Sequence, residues 1–494
     1  MAKPFAVKGI NVEPEDNRED RLSSLPDDVL LNIVERLNIN GATRTSMLSG
    51  RWRRIPAMIS KLHVAVGSSD PERDRSKLSY ANDVVRANAT IVEAIRSILL
   101  LENRSTGLYT VRLMCLQFFL GHEDIGVVQD VADTMAMEDI GLAELTLLTR
   151  KDGRRCTDQD LVAYGRQMGS FVDACPHTLF SGLTRLKLEN LRLPESESES
   201  DFPKILGICE RLQSLRLYNC DAGIKSSLQV EHQQLSELEI IKSGFERVDL
   251  KWLPELRTLN FSSWKSHHDD PMAFRHVPLL HTVTMSNTAA SYHKMLRLSE
   301  FLGTATISNL HLNFESEKIW VKPEGPIELS QVFDKLKFVK LADISEECDL
   351  TWTLFLLRGA PSLEELCVSM WNRCDLVRGD KDRKKLQLSK EKKDAGTEWE
   401  SSSSSDFKHH NLDVLRIFGF QLQDKFVNYV NGVMESAVDL KGVYLYKRPG
   451  CGACVCRMRK DGYLWTEKQK VSLLNSFNMD ACPLLTIYFP SSRS

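Results

Sequence analysis

Four cysteines near the C-terminal end have the residue type and spacing of a metal or redox site. Cys451, Cys454 and Cys456 lie close together, and Cys482 follows later in the chain. A C-x-x-C pair can bind zinc through two thiolates or act as a redox pair. No second C-x-x-C pair and no paired histidines follow at zinc-finger spacing, and Pro449-Gly450 is typical of a turn between strands. We therefore expect no metal and no cofactor, with zinc or redox chemistry at these cysteines as the alternative.

Motifs that would indicate catalysis are missing from the sequence. It contains no G-x-x-x-x-G-K-S/T phosphate loop, no G-x-G-x-x-G after a strand, no H-E-x-x-H and no G-x-S-x-G. Scattered serines, histidines and aspartates do not by themselves indicate a catalytic site. The sequence therefore predicts a binding component and not an enzyme.

Composition excludes several classes of partner. The 494 residues include 64 basic and 67 acidic side chains, so the net charge provides no electrostatic attraction to nucleic acid or to an anionic membrane. The first residues lack the apolar core of a signal peptide, and no stretch has the 18 or more apolar residues of a membrane span. We expect neither a nucleic-acid nor a membrane partner, reduced cysteines, and a location in the nucleus, the cytoplasm or both.

A recurring L-x-x-L-x-L pattern, in which Ile, Val, Phe or Met can replace Leu, indicates the elements that position the polar side chains. Most intervals are about 21 to 29 residues long, which is the period of leucine-rich repeats. Each repeat is one short strand with a return segment, and stacking buries the leucines in a curved parallel sheet. The sequence thus predicts an α/β fold dominated by an irregular leucine-rich-repeat solenoid. The pattern begins at Leu108, Leu142, Leu183, Leu212, Leu235, Leu256, Leu280, Ile307, Leu336, Leu363, Leu412 and Leu440.

Side chains that alternate with the leucines are expected on the concave face of the solenoid, because strand side chains have a period of two. Their character changes along the chain from basic through acidic to neutral and then aromatic, whereas a nucleic-acid groove would show an unbroken basic stripe. We therefore expect a protein or peptide substrate. Arginine and large aromatic side chains dominate interface energetics. The candidate substrate-binding residues of these types are Arg216, Tyr218, Phe338, Phe418, Tyr444 and Tyr446.

The segment from Arg21 to Pro56 is apolar enough to bind a partner and too short to be stable as a separate domain. Its pattern predicts three short helices. Ser24 can cap the first helix, and Asn38 to Gly41 break it. The second helix is expected from about Ala42 to Ser49, and a short third one carries Trp52.

Three blocks of this segment resemble the F-box of plant F-box proteins. They are Leu25-Pro26-Asp27-Asp28-Val29-Leu30, Arg44-Thr45-Ser46-Met47-Leu48-Ser49 and Arg51-Trp52-Arg53. Gly50 departs from the pattern, since relatives commonly carry a lysine there. The degenerate repeats and a C-terminal part like that of cereal members extend the resemblance to plant F-box proteins with leucine-rich repeats over residues 20 to 490.

This resemblance implies a function. An F-box binds a Skp-type adaptor, and through it a cullin, so the chain would be the substrate-recognition subunit of an SCF-type ubiquitin ligase whose repeats bind a protein target. The implied adaptor-binding residues are Leu25, Pro26, Leu30, Ile33, Leu48 and Trp52, presented as helices in a hydrophobic groove. Two alternatives remain open: a ligase-independent scaffold, in which the helices only cap the solenoid, and a sensor of a hormone-like small molecule.

These patterns predict the following domain boundaries. We expect a disordered tail at 1–19, the F-box at 20–62, a linker with a capping helix at 63–105 and the repeat domain at 106–490. A disordered insertion is expected at 375–408, because that stretch has few apolar residues, many charges and a run of serines. Its basic residues could also form a weak nuclear-import patch.

Overall fold

The computed structural model describes most of the chain. The described residues are 22, 24–37, 39–45, 47–65, 83–89, 112–120, 142–174, 177–193, 201–264, 269–287, 294–315, 319–346, 348–370, 407–447, 464–482 and 484–490. Three predictions lie outside these residues: the tail at 1–19, the insertion at 375–408 apart from its last two residues, and the site at Cys451, Cys454 and Cys456.

The N-terminal unit consists of helices α1 (Asp27–Val34) and α2 (Ile39–Thr45) and a 3-10 helix (Ile55–Met58). It has a core of its own. The six side chains of this core are at most 3% exposed: Leu30, Val34, Ala42, Trp52, Ile55 and Ile59.

Several predicted details of this unit are wrong. Helix α1 has Pro26 at its N-cap position and no side-chain cap, so Ser24 does not have the predicted role. Helix α2 begins at Ile39, inside the segment that was expected to break the first helix, and ends at Thr45. The third helix is a 3-10 helix that begins at Ile55, and Trp52 precedes it.

The solenoid is a curved parallel sheet, as the repeat pattern predicts. Within the described residues, fourteen strands pair in the order β1-β2-β3-β4-β5-β7-β9-β11-β12-β13-β14-β15-β16-β17. They are β1 (Lys61–Ala65), β2 (Leu113–Phe119), β3 (Leu142–Leu148), β4 (Arg185–Glu189), β5 (Ser214–Tyr218), β7 (Glu237–Ile241), β9 (Thr258–Ser262), β11 (Thr282–Ser286), β12 (Asn309–Asn313), β13 (Phe338–Ile344), β14 (Glu365–Met370), β15 (Val414–Phe418), β16 (Gly442–Tyr446) and β17 (Thr486–Tyr488).

Return segments between these strands carry the longer helices, whose apolar faces close the core. They are α3 (Asp158–Ala174), α4 (His177–Ser181), α5 (Asp201–Ile208), α6 (Leu298–Leu302), α7 (Pro326–Phe333), α8 (Leu354–Gly359), α9 (Asp424–Ser436) and α10 (Glu467–Ser476). A second parallel sheet, which the sequence pattern did not indicate, replaces helices in three neighbouring repeats. It consists of β6 (Ser227–Glu231), β8 (Arg247–Trp252) and β10 (Met272–His276), with β8 in the middle.

The predicted register is correct from β3 to β16 and wrong at Leu108. From β4 to β16 each main-sheet strand begins two residues after the first position of its pattern, and from β3 to β16 the two later apolar positions of each pattern are buried. The first predicted strand would bury Leu113, but β2 buries Met114 and Leu116 instead. Both faces of this strand are rich in apolar side chains, so its own sequence does not fix which face is inward. Pairing with β1 and β3 decides it.

The sheet begins earlier than predicted. Strand β1 pairs in parallel with β2, so residues 63–65, which were assigned to a linker, belong to the first strand. Of the predicted capping helix, residues 83–89 are described and are helical. Asn88 is buried there. Its amide nitrogen donates to the Phe119 carbonyl oxygen (2.7 Å), and its amide oxygen accepts from the Phe119 N–H (3.1 Å), which ties this helix to the end of β2.

Two buried histidines join neighbouring repeats. His232 Nε2 lies 2.8 Å from the Cys209 carbonyl oxygen and its Nδ1 accepts from the Gln234 N–H, whereas His409 Nε2 lies 3.0 Å from the Ala360 carbonyl oxygen. His409 Nδ1 also accepts backbone N–H groups, so both rings act as neutral imidazoles with one donor and one acceptor. Burial lowers the pKa of both histidines.

Candidate binding surfaces

The N-terminal unit exposes two apolar side chains in the segment that follows α2. Met47 is 85% exposed and Leu48 is 64% exposed. Leu22, Val29 and Leu37 are exposed to a smaller extent, and the Pro26 ring is also exposed. Several exposed apolar side chains on so small a unit are typical of a surface that binds another protein.

A bidentate ion pair holds the segment carrying Met47 and Leu48 against the start of α1. Arg51 Nε and Nη2 donate to Asp27 Oδ1 at 2.9 and 2.6 Å. The buried ring of Trp52 anchors the next residue in the core. The side chains before Arg51 are therefore presented from a fixed backbone and not from a free loop.

The structure separates the predicted adaptor-binding residues into buried and exposed ones. Leu30 is 0% exposed and Trp52 is 3% exposed, because both form the core of the unit. Leu25 and Ile33 are half-buried, whereas Pro26 and Leu48 are exposed. The exposed members, with Met47 added, remain the predicted contact surface.

The six predicted substrate-binding residues all lie on the concave face, but they form separate groups. Arg216 and Tyr218 are on β5, Phe338 is on β13, and the other three are on β15 and β16. Strands β5 and β16 are eight strand spacings apart in the sheet, which is about 38 Å along its curve. A single residue of a bound peptide therefore cannot contact both β5 and β16.

An aromatic cluster occupies the C-terminal end of the concave face. The rings of Phe418 and Tyr446 stack at 4.2 Å, and those of Tyr444 and Tyr488 stack at 4.4 Å, each pair within 11° of parallel. The Arg416 guanidinium lies 4.3 Å from the centre of the Tyr444 ring, and its Nε donates to Glu365 at 2.7 Å. The cluster is thus a fixed, partly exposed platform with an amphipathic surface.

Phe338 lies apart from that cluster. Its ring is tilted against His311, with 5.3 Å between the ring centres. On the neighbouring strand Cys367 is buried, and burial raises the pKa of its thiol to about 11. Cys367 is therefore a neutral thiol at physiological pH and has no nucleophilic role there.

Arg216 and Tyr218 line a pocket at the N-terminal end of the concave face. Its volume is about 440 Å³, strands β2 to β5 form its floor, and Lys242 after β7 lies at its edge. The side chains that line it are predominantly polar: Gln117, Thr146, Asp152, Arg154, Lys187, Glu189, Arg216, Tyr218 and Lys242.

The wall of this pocket is the loop between β3 and α3. Thr149 N–H donates to Glu189 Oε1 (2.7 Å), and Lys151 Nζ donates to both oxygens of Asp160 (2.7 Å). A Cβ at Gly153 would lie 3.0 Å from Asn190 Oδ1 and from the Tyr218 ring, so the loop packs tightly on the end of the sheet. The pocket is therefore preformed.

Sequence reasoning did not select four residues of these surfaces as binding residues. The period of two places Arg416 on the concave face, where it alternates with buried residues in β15, and Tyr488 alternates with the half-buried Ile487 in β17. Lys242 follows a strand and Arg154 lies in a loop, and neither position has a periodic signal. In the described part of the chain, no helix is long and apolar enough to cross a membrane.

Comparison with known proteins also divides the chain into an N-terminal unit and a repeat region. A family model described as F-box domain matches residues 22–62, and one described as At1g61320/AtMIF1, LRR domain matches residues 167–473, which is more than half of the chain. Two curated relatives from Arabidopsis thaliana are similar over about half of the chain. F-box/FBD/LRR-repeat protein At5g56420 is 23% identical over 50% of this chain and 56% of its own length, and F-box/FBD/LRR-repeat protein At3g52680 is 27% identical over 45% of each.

A third relative is similar over a shorter segment. Putative F-box protein At1g67390 from the same plant is 43% identical over 56 residues, which is 11% of each chain. The chain matches about half the length of each of the two F-box/FBD/LRR-repeat relatives.

Proposed function

Because the chain belongs to the plant F-box proteins with leucine-rich repeats, we propose that it is the substrate-recognition subunit of an SCF-type cullin ubiquitin ligase. The F-box binds a Skp-type adaptor, which connects it to the cullin, and the concave face of the repeats binds a protein target for ubiquitination. The protein itself is not catalytic in this proposal and needs no cofactor. It acts in the nucleus, the cytoplasm or both.

The observation that carries the proposal is the combination of core and surface in the N-terminal unit. A few buried residues hold α1, α2 and the 3-10 helix together, while Met47 and Leu48 remain exposed beside the Asp27–Arg51 ion pair. If the helices only capped the solenoid, these two side chains would be expected to pack against it. Their exposure favours adaptor binding over a capping role.

The repeats would contribute by holding the target close to the ubiquitin-charged enzyme. Proximity alone can supply a large part of a rate enhancement, because a bimolecular encounter becomes effectively unimolecular. The aromatic cluster on β15 to β17 and the pocket beside β4 and β5 are the two concave surfaces proposed to contact the target. They are far enough apart to contact two segments of one target.

Co-purification of the full chain with a plant Skp-type adaptor tests the proposal. The test variant is Leu48→Asp, and Ile327→Asp is the matched control, because Ile327 is 82% exposed on α7 of the solenoid. Loss of one buried leucine contact is worth about 2 kcal/mol, so Leu48→Asp should weaken adaptor binding by about 30-fold or more. Ile327→Asp should bind as the unmodified chain does.

Both variants should keep the circular dichroism and the thermal unfolding of the unmodified chain, since neither side chain is buried. Failure of the folded, unmodified chain to bind the adaptor would overturn the proposal in favour of the scaffold. Equal binding by Leu48→Asp and the unmodified chain would show that this surface is not the contact. A fluorescent fusion of the full chain, imaged in plant cells, tests the proposed location.

A further inference from the structure

Exposed apolar side chains are concentrated in the last described repeat of the solenoid. Residues 464–482 and 484–490 expose six large apolar side chains, whereas the described residues of the solenoid from 113 to 447 expose five. Exposed apolar surface of this density is typical of a contact with another protein. The six side chains are Leu464, Val471, Leu474, Met479, Leu484 and Tyr488.

The core of the solenoid is incompletely covered at the same place. In every main-sheet strand from β4 to β16, the two core side chains are at most 3% exposed. Ile487 of β17 pairs in register with Val443 of β16, and Phe489 has the next core position. Both are only half-buried against the core. The last strand therefore leaves apolar core positions open to a partner.

The outer edge of β17 is suited to pairing with another strand. Strand β17 is the last in the order of the main sheet and pairs with β16 alone. The Thr486 N–H donates to the Lys441 carbonyl oxygen on the β16 side (3.0 Å). Alternate residues of a strand bond to the same neighbour, so the N–H and carbonyl oxygen of Ile487 point to the open edge. Charged side chains commonly prevent pairing at such edges, but residues 484–489 carry no charge.

The other end of the sheet is already occupied. Helix α2 contacts β1, the first strand of the sheet. Glu35 Oε1 also accepts from the Ser60 N–H (3.2 Å), directly before β1. A second copy that stacked head to tail would have to displace the N-terminal unit, and such a contact can grow into filaments. A tail-to-tail contact displaces nothing and closes at two copies.

We propose that the end face formed by α10 and β17 binds the same face of a second copy of this chain, giving a dimer with two-fold symmetry. The two β17 strands pair antiparallel about Ile487. The outward N–H and carbonyl oxygen of Ile487 then exchange hydrogen bonds with the same groups of the second copy. The paired strands continue the main sheet from one copy into the other.

The residues of β17 are self-complementary in this register. Thr486 lies opposite Tyr488 of the second copy on the concave side, and Leu485 lies opposite Phe489 on the core side. Pairs of an aromatic with a β-branched side chain stabilise antiparallel strands. Val471 and Leu474 are three residues apart on one side of α10, so they add apolar area to the same end of the solenoid.

This arrangement leaves the two N-terminal units at the far ends of the dimer. The concave faces of β4 to β15 also stay open. The proposal therefore goes beyond the proposed function and does not rest on it. One helix and one short strand form a small interface, so we expect a dissociation constant in the micromolar range.

Sedimentation velocity of the purified full chain, from about 1 to about 100 μM, tests the proposal. The first test variant is Ile487→Pro, which removes the outward N–H and none of the bonds to β16; proline is tolerated at such positions of edge strands. The second is Leu484→Asp, which places a charge at the edge on a side chain that is 78% exposed. Ile487→Val and Ile327→Asp are the matched controls, since Ile327 is exposed on α7, away from the end face.

We expect the mass of the unmodified chain to rise from one copy to two across this range. Loss of two symmetric hydrogen bonds in Ile487→Pro should weaken dimerisation at least about 30-fold, and Leu484→Asp should weaken it by a similar factor. Both controls should dimerise as the unmodified chain does. Circular dichroism confirms that each variant is folded, and Leu484→Asp decides the result if Ile487→Pro is not.

Cysteine crosslinking tests the register. The two copies of Ile487 face each other as a hydrogen-bonded pair with Cα atoms about 5.5 Å apart, which is within the range of a disulfide. Ile487→Cys should therefore form a covalent dimer under mild oxidation, to a greater extent than the unmodified chain. Thr486→Cys is the control, because its two copies lie opposite Tyr488 and not opposite each other.

Three outcomes would overturn the proposal. The first is a monomer at every concentration, which would assign the end face to a different partner. The second is dimerisation that is unchanged in folded Leu484→Asp, or crosslinking that is equal in the two cysteine variants, since either result would place the contact elsewhere. The third is growth beyond two copies, which would exclude a closed two-fold contact.

Discussion

Asn190 holds together the loop and the strands that form the pocket beside β4 and β5. Its side chain is fully buried, and its Nδ2 donates to Thr149 Oγ1 (2.6 Å) and to the Lys151 carbonyl oxygen (3.2 Å). Its Oδ1 accepts from Asn219 Nδ2. One amide group therefore joins the end of β4 to the loop on one side and to the next repeat on the other. We predict that Asn190→Ala releases this loop.

The expected magnitude follows from these contacts. Two hydrogen bonds join Asn190 to the loop, one buried and one partly buried, and each is worth about 1 kcal/mol. The loop should therefore open with a free energy smaller by about 2 kcal/mol. A change of this size is about a 30-fold increase in the population of the open loop.

Hydrogen exchange with mass spectrometry measures this opening directly, because it reports local stability in a chain too large for a single unfolding free energy. Amides of the loop from residue 149 to 157 should exchange about 30-fold faster in Asn190→Ala, whereas β12 and later strands should not change. Asn309→Ala is the control, since the Asn309 side chain donates on the exposed face of β12 and has no contact with the loop. Loop exchange that is unchanged, or that Asn309→Ala accelerates equally, would refute the reasoning.

Two further predictions concern the stability of the solenoid. His232 and His409 are buried with lowered pKa values, so the unfolded chain binds protons more strongly than the folded chain does. The thermal unfolding midpoint should therefore fall as pH drops below about 6.5, the ordinary histidine pKa, and replacing both residues with glutamine should reduce this pH dependence; an identical dependence in the variant would contradict the explanation. Gly165→Ala should lower the urea midpoint strongly or prevent folding, because its Cβ would lie 1.8 Å from the Arg192 carbonyl oxygen, while Gly169→Ala in the same helix has open space and should leave the midpoint unchanged or raise it. Equal midpoints for the two glycine variants would contradict the packing of α3 in this structure.

The strands from β4 to β16 could be predicted because their signal is local. In Leu183-Thr184-Arg185-Leu186-Lys187-Leu188 the alternation itself states which side chains are buried, and the structure buries Leu186 and Leu188 as predicted. The signal fails where both faces are apolar, as in β2, since only the neighbouring strands then decide the register. The second sheet was not predicted either, because its short strands lie in return segments, and the repeat pattern does not specify which residues are buried there.

The candidate sites, too, could be predicted from the sequence only in part. The sequence by itself determined the parallel solenoid, the small helical unit before it and the face on which Arg216, Tyr218 and Tyr444 lie, because each depends on periodicity within a few residues. Only the tertiary structure decided that Leu30 and Trp52 serve the core while Met47 and Leu48 remain exposed, since an apolar periodicity is the same for a core and for a binding surface. The tertiary structure alone also shows that Arg154, which lies in a loop, lines the same pocket as Lys242, which follows β7. Such a pocket forms from residues far apart in the chain, and their distance is set by how the repeats stack.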